Sequence, residues 1–187
     1  MRRFKQQHII GSLLALILCS CSDLRQKEQL KAITNLSLTL DSIQRVAIGD
    51  FPDTLNQVRF EMMRVETSLK DKLLLDTIYH DYAFDMDTYK KARKSIGKAN
   101  EYFVELKRSL EKQRNQLKAL KKDVENGWGR RDQYGNYIRM ERKNLRTLAS
   151  RSLNLQKKIV TIYETYRLLH PKLVKFLERV ESKKGEI

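Results

Sequence analysis

The sequence predicts an all-α fold, a helical bundle with a long antiparallel coiled-coil hairpin. Three observations carry that prediction. Apolar residues recur at steps of three and four along most of the 187 residues. Only 7 Gly and 2 Pro are present, too few for a turn-rich β protein. Hydrophobic types make up 41% of the chain, enough for a packed core in one domain or two small ones. Composition also excludes collagen, low-complexity disorder and a disulfide scaffold.

The first element is a leader. Arg2, Arg3 and Lys5 precede an apolar run from Ile9 to Leu18, followed by the small residues Cys19, Ser20 and Cys21. A basic start, a short apolar middle and small residues form an export signal. From Ile9 to Cys21 a helix rises only about 20 Å, short of the roughly 30 Å core of a bilayer.

The stretch Leu18-Cys19-Ser20-Cys21 resembles the bacterial lipobox. That resemblance implies cleavage before Cys21, diacylation of that cysteine and removal of residues 1–20. Cys19 is the poorer candidate, because bulky Leu18 would precede it directly. Cleavage before Cys21 would leave that residue as the only cysteine of the mature chain, so no thiol remains for a disulfide, a metal site or a nucleophile. An ordinary secreted protein that discards both cysteines is the competing reading. Resemblance to Gram-negative lipoproteins implies further that Ser22, at the second mature position, favours the outer membrane. Periplasmic and external orientation both stay open.

Two shorter helices come next, in a segment expected over 21–87. Ile33, Leu36, Leu40, Ile43 and Ala47 form one stripe, and Leu55, Val58, Met62, Val65 and Leu69 form another. Gly49-Asp50-Phe51-Pro52-Asp53 between them reads as a stop, a turn and a cap, so the second helix is expected to return beside the first. From Asp76 to Asp87 the stripe loses phase, which reads as a connection or a bent helical segment.

The strongest pattern lies in 88–187. Tyr89, Ala92, Ile96, Ala99, Phe103, Leu106, Leu110, Gln113, Leu117, Leu120 and Val124 form an uninterrupted seam with no charged member. In a chain one-third charged, chance gives such a run about 1% of the time. After Asn126-Gly127-Trp128-Gly129, a second seam runs from Ile138 through Glu141, Leu145, Leu148, Ser152, Leu155, Ile159, Ile162, Tyr166, Leu169, Leu173 and Phe176 to Val180. The short connection dictates antiparallel packing. Folding about residue 131 places Gln113 and Ser152 in neighbouring layers, either as a register-fixing polar pair or as a tolerated loose layer. Pro171 predicts a kink, with a break and restart as the alternative.

Charge divides the chain. The whole sequence has 38 Lys and Arg against 23 Asp and Glu, a net of +15. Residues 21–87 hold 8 basic and 12 acidic side chains, a net of −4, whereas 88–187 hold 27 and 11, a net of +16. The cationic hairpin is either a solvated surface or an anion-binding ridge. For an exported, anchored chain, anionic lipid, phosphorylated glycolipid or acidic envelope protein replaces nucleic acid as the expected partner.

The hairpin turn gathers Trp128, Arg130, Arg131, Tyr134 and Tyr137, residue types enriched at binding hot spots. They form a candidate interaction tip, or they cover the end of the core. Asp76, His80, Asp81, Asp85 and Asp87 match no calcium or zinc pattern, and His170 reads as a surface residue at the kink. No metal site, cofactor or catalytic constellation is expected. The expectation is a non-catalytic envelope lipoprotein, held at the membrane by its lipid anchor and acting as an interaction or scaffold module through a basic helical rod and aromatic tip. The alternative is a binding chaperone, broadly like the periplasmic holdase Skp in charge and helix content.

Overall fold

The computed structural model describes the backbone of residues 2–47, 51–72 and 80–184, and the side chains of 24–47, 53–72 and 82–182. Four helices make up the fold: α1 (Arg2–Ala47), α2 (Phe51–Lys72), α3 (His80–Asn126) and α4 (Tyr134–Lys184), with a 3-10 turn at Arg131–Gln133. No strand occurs among the described residues, so the all-α bundle and its antiparallel hairpin are as the periodicity predicts. Residues 48–50 and Asp76 of the acidic group lie outside the described residues, and the side chains of Cys21, His80 and Asp81 lie outside the described side chains.

Contacts divide the chain into two compact units. Unit 1 comprises Met1–Ile43 and Ser109–Leu148; unit 2 comprises Gln44–Arg108 and Ala149–Ile187. Unit 1 draws on α1, α3 and α4, and unit 2 on the last residues of α1 together with α2, α3 and α4. This division does not follow the expected boundary at 87/88, because α3 and α4 each contribute to both units.

In unit 1, α1 buries Ile33, Leu36, Leu40 and Ile43. Its direction is set by two contacts with α3: Gln26 reaches the carbonyl of Val124, and Asp41 pairs with Arg114 at 2.7 Å. Partner numbers fall as α1 rises, so α1 runs antiparallel to α3. The α3–α4 pairing in this unit joins Gln113 to Glu141 and Asp123 to Tyr134, which centres the hairpin near residue 128 and not at 131. Gln113 is buried with Nε2 donating to the Glu141 carboxylate, while the buried Ser152 hydroxyl, in unit 2, has no hydrogen-bond partner among the described residues.

In unit 2, α2 buries Leu55, Val58, Met62, Val65 and Leu69. Here too the third helix runs antiparallel to α3: Asn56 bonds Asn100 at 2.9 Å, and Glu66 accepts from Arg93 Nε at 2.6 Å and Nη2 at 3.3 Å. The Arg93–Glu66 fork is largely covered, the setting in which a two-point guanidinium–carboxylate pair is strongest. α1 up to Ile43 and α2 belong to different units. Each finds its partners on the α3 and α4 segments of its own unit. Periodicity identified the buried faces, but two similar stripes do not say whether they meet each other or a third helix.

Helix ends also differ from expectation. α2 begins at Phe51, so Pro52 falls in its first turn, where its missing N–H costs no hydrogen bond, and Asp53 lies at the favourable end of the helix dipole. α3 begins at His80, so the later part of the expected connection is helical. Tyr82 there stacks on Phe176 with centroids 3.9 Å apart, and its hydroxyl accepts from Arg179 at 2.5 Å. α4 runs through Pro171 as one helix, so no break and restart occurs.

Candidate functional site

The hairpin turn in unit 1 is built from the end of α3 outward. Gly127 adopts φ 65°, its N–H bonds the Val124 carbonyl at 3.3 Å, and the Trp128 N–H bonds the Asp123 carbonyl at 2.9 Å. These paired bonds form a Schellman cap, which needs a left-handed residue and so favours glycine. Gly129 at φ 74° turns the chain again. Arg131 then folds back so that Nε donates to the Gly127 carbonyl at 2.7 Å.

Tyr134 closes the turn. It is 4% exposed, and its hydroxyl reaches the carbonyls of Asp123 at 2.9 Å and of Trp128, donating its single proton to that pair. The structure thus separates the five tip residues that the sequence grouped. Tyr134 is a core residue that ties α4 to the turn. Trp128 (55% exposed), Tyr137 (39% exposed), Arg130 and Arg131 face outward, and Lys122 Nζ sits 5.4 Å from the Trp128 ring centroid. Met140, 62% exposed six residues into α4, was missed because only aromatic and arginine residues were sought at the tip.

A cleft of about 530 Å³ opens at the base of this turn, lined by Arg25, Gln26, Gly127, Arg131 and Tyr134 among others. Gln26 Nε2 donates there to the carbonyls of Val124 (2.7 Å) and Glu125 (3.1 Å), so the Val124 carbonyl accepts a second bond beside that of Gly127 and the last turn of α3 is tied to α1. The beginning of the described α1 side chains is thereby fixed at the turn end of unit 1.

A second polar feature lies within unit 2. The Tyr89 hydroxyl and His170 Nδ1 are 2.6 Å apart, the Tyr166 ring lies 4.6 Å from the His170 ring, and the Tyr166 hydroxyl donates to Glu61. Burial holds His170 below its ordinary pKa, and burial likewise pushes the Tyr166 phenol up to about 12. Tyr89 is also raised by burial, while the bond from Tyr166 holds Glu61 below the usual carboxylate range. The two phenols and the imidazole are thus kept neutral near pH 7, the condition of a hydrogen-bonded network and not of an activated nucleophile. His170 is accordingly half-buried and engaged, correcting its assignment as a surface residue. The adjoining cleft of about 610 Å³ is lined by Val160, Tyr163, Tyr166, Arg167, His170 and Pro171.

Of the acidic group, the side chains of Asp85 and Asp87 are the described ones. Asp85 pairs with Lys172 and Asp87 with Lys91 at 2.7 Å, and no group of three or more metal-ligating side chains occurs among the described residues. No helix among the described residues is long and apolar enough to cross a membrane. No protein family, curated protein or solved structure matches the chain.

Proposed function

We propose that this chain is a non-catalytic lipoprotein of the bacterial cell envelope, diacylated at Cys21 and favouring the outer membrane, which acts as an interaction or scaffold module through its basic helical hairpin. One observation carries the interaction reading: the apolar seams of α3 and α4 are consumed in packing, while none of the described Lys or Arg side chains from 88 onward is buried. With 27 basic against 11 acidic residues in 88–187, internal ion pairs cannot neutralise that surface. Its partner is an anionic envelope component, a lipid phosphate, a phosphorylated glycolipid or an acidic protein, drawn by an attraction that decays within a Debye length.

The anchor is tested by mass analysis of the amino-terminal peptide from cells: a diacylated Cys21 is expected, and a bare Cys21 overturns it. The interaction is tested by titrating the unlipidated mature chain against immobilised phosphorylated glycolipid at rising salt, with a steep fall in affinity expected. A second reading, the Skp-like binding chaperone, is supported by three strongly exposed apolar side chains in unit 2, Phe60, Phe84 and Leu168. Suppressed aggregation of an unfolded outer-membrane protein at stoichiometric amounts would select it; a scaffold leaves aggregation unchanged.

A further inference from the structure

Resting on the lipid anchor proposed at Cys21, we infer that the hairpin turn is itself a membrane-docking element, held against an anionic phospholipid surface by the same end of unit 1 that carries the tether. The placement of Gln26 is the deciding contact. Its side chain is bonded to Val124 and Glu125 at the last turn of α3. It lies five positions after Cys21, and even fully extended five steps of chain reach at most about 18 Å. An acylated Cys21 therefore brings the bilayer surface to the turn, within reach of Trp128.

The side chains at that end suit a headgroup layer. Trp128, Tyr137, Met140 and, beside the tether, Leu24 are exposed. Tryptophan and tyrosine settle where an apolar body meets acyl chains and a polar edge meets headgroups. Around them, residues 118–146 hold nine basic and four acidic side chains, and all nine basic ones are exposed. A basic patch beside an acyl tether supplies the second signal that stable membrane attachment requires. The occupant is thus a lipid surface: the patch is cationic, it carries interfacial aromatics, and the tether delivers it there.

Trp128 is the only tryptophan and, in the mature chain, Cys21 the only cysteine, so both probe and tether are built in. The mature chain is coupled through the Cys21 thiol to a maleimide lipid in vesicles of phosphatidylglycerol and phosphatidylcholine, and Trp128 emission is recorded. The expected result is a blue shift, quenching by nitroxide-labelled lipid and protection from aqueous iodide. Emission that stays red and fully open to iodide overturns the inference. Location of the patch is tested with the uncoupled chain. Replacing Arg130, Arg139 and Arg142 together by Glu is expected to lower affinity for the same vesicles about a hundredfold at low salt, and more than the matched replacement of Lys90, Lys94 and Lys98. Equal losses from both variants would show diffuse attraction to the whole cationic surface and overturn docking by the turn. Because chemical coupling replaces natural acylation, a bare Cys21 in cells refutes the anchor without altering these readouts.

Discussion

Nδ1 of His170 lies 2.6 Å from the hydroxyl of Tyr89, joining α4 to α3 inside unit 2. In the Nε2–H tautomer of the neutral imidazole, Nδ1 accepts the phenolic proton. Burial lowers the affinity of His170 for a second proton, against a weaker upward pull from Glu61 and with a further lowering by Arg64. The folded state consequently binds fewer protons at this site than the unfolded chain once pH drops below the ordinary histidine value near 6.5. The contribution is complete above that pH and is lost as pH falls through the lowered folded value. Urea unfolding of the wild type should show this acid-side loss, and His170→Gln should flatten it. Tyr89→Phe should cost about 1–3 kcal/mol at pH 7.5, since it leaves the half-buried imidazole nitrogen without a donor.

Ser152 offers a test of opposite sign. Its hydroxyl is buried with no hydrogen-bond partner among the described residues, so it carries a desolvation cost with no return. Ser152→Ala removes that cost and adds helix propensity, and it should raise stability by about 0.5–2 kcal/mol in denaturant melts. A loss of stability would mean that the hydroxyl is satisfied in solution.

Tyr134 and Trp128 should respond in contrasting ways to truncation. Tyr134→Phe removes the bond to the turn carbonyls and should cost about 1–2 kcal/mol, and Tyr134→Ala about 3–5 kcal/mol because it also opens a cavity. Trp128→Ala, at an exposed position, should stay within about 0.5 kcal/mol of wild type. Thermal midpoints of the three variants decide the matter.

Gly129 isolates a backbone effect. A Cβ added there meets no atom within 4 Å, yet φ is 74°. Gly129→Ala should therefore cost about 1–2 kcal/mol through the left-handed conformation alone, with no steric component. Chemical denaturation of this variant measures that strain directly.

Much of the packing was legible because a seam is a local property. Of the eleven positions from Tyr89 to Val124, only Ala92 is not fully buried, and both short stripes are buried throughout. Pairing was less legible. Spacing shows which face of a helix avoids water but carries no information on which helix covers it, so the α3 partners of α1 and α2 could not be read from it. Register depended on the turn, where a Schellman cap reverses the chain sooner than a loose ten-residue loop would. Tyr134 illustrates the limit at the site: its composition matches a binding residue, and only the carbonyls of Asp123 and Trp128 reveal that it is a fastener. The network around His170 was invisible because its members come from three helices, with Glu61 and Tyr166 separated by 105 positions.

The division into units has a practical corollary for anyone cutting the gene. A clone starting at residue 88 would encode α3 lacking its first eight residues together with all of α4, and would omit the third helix of either unit. Such a fragment lacks the helices whose apolar stripes complete each unit, inviting aggregation or a domain-swapped partner. Deleting 149–187 instead keeps every segment of unit 1 on one polypeptide but leaves 44–108 without the α4 segment of its own unit, so the full mature length is the form to express.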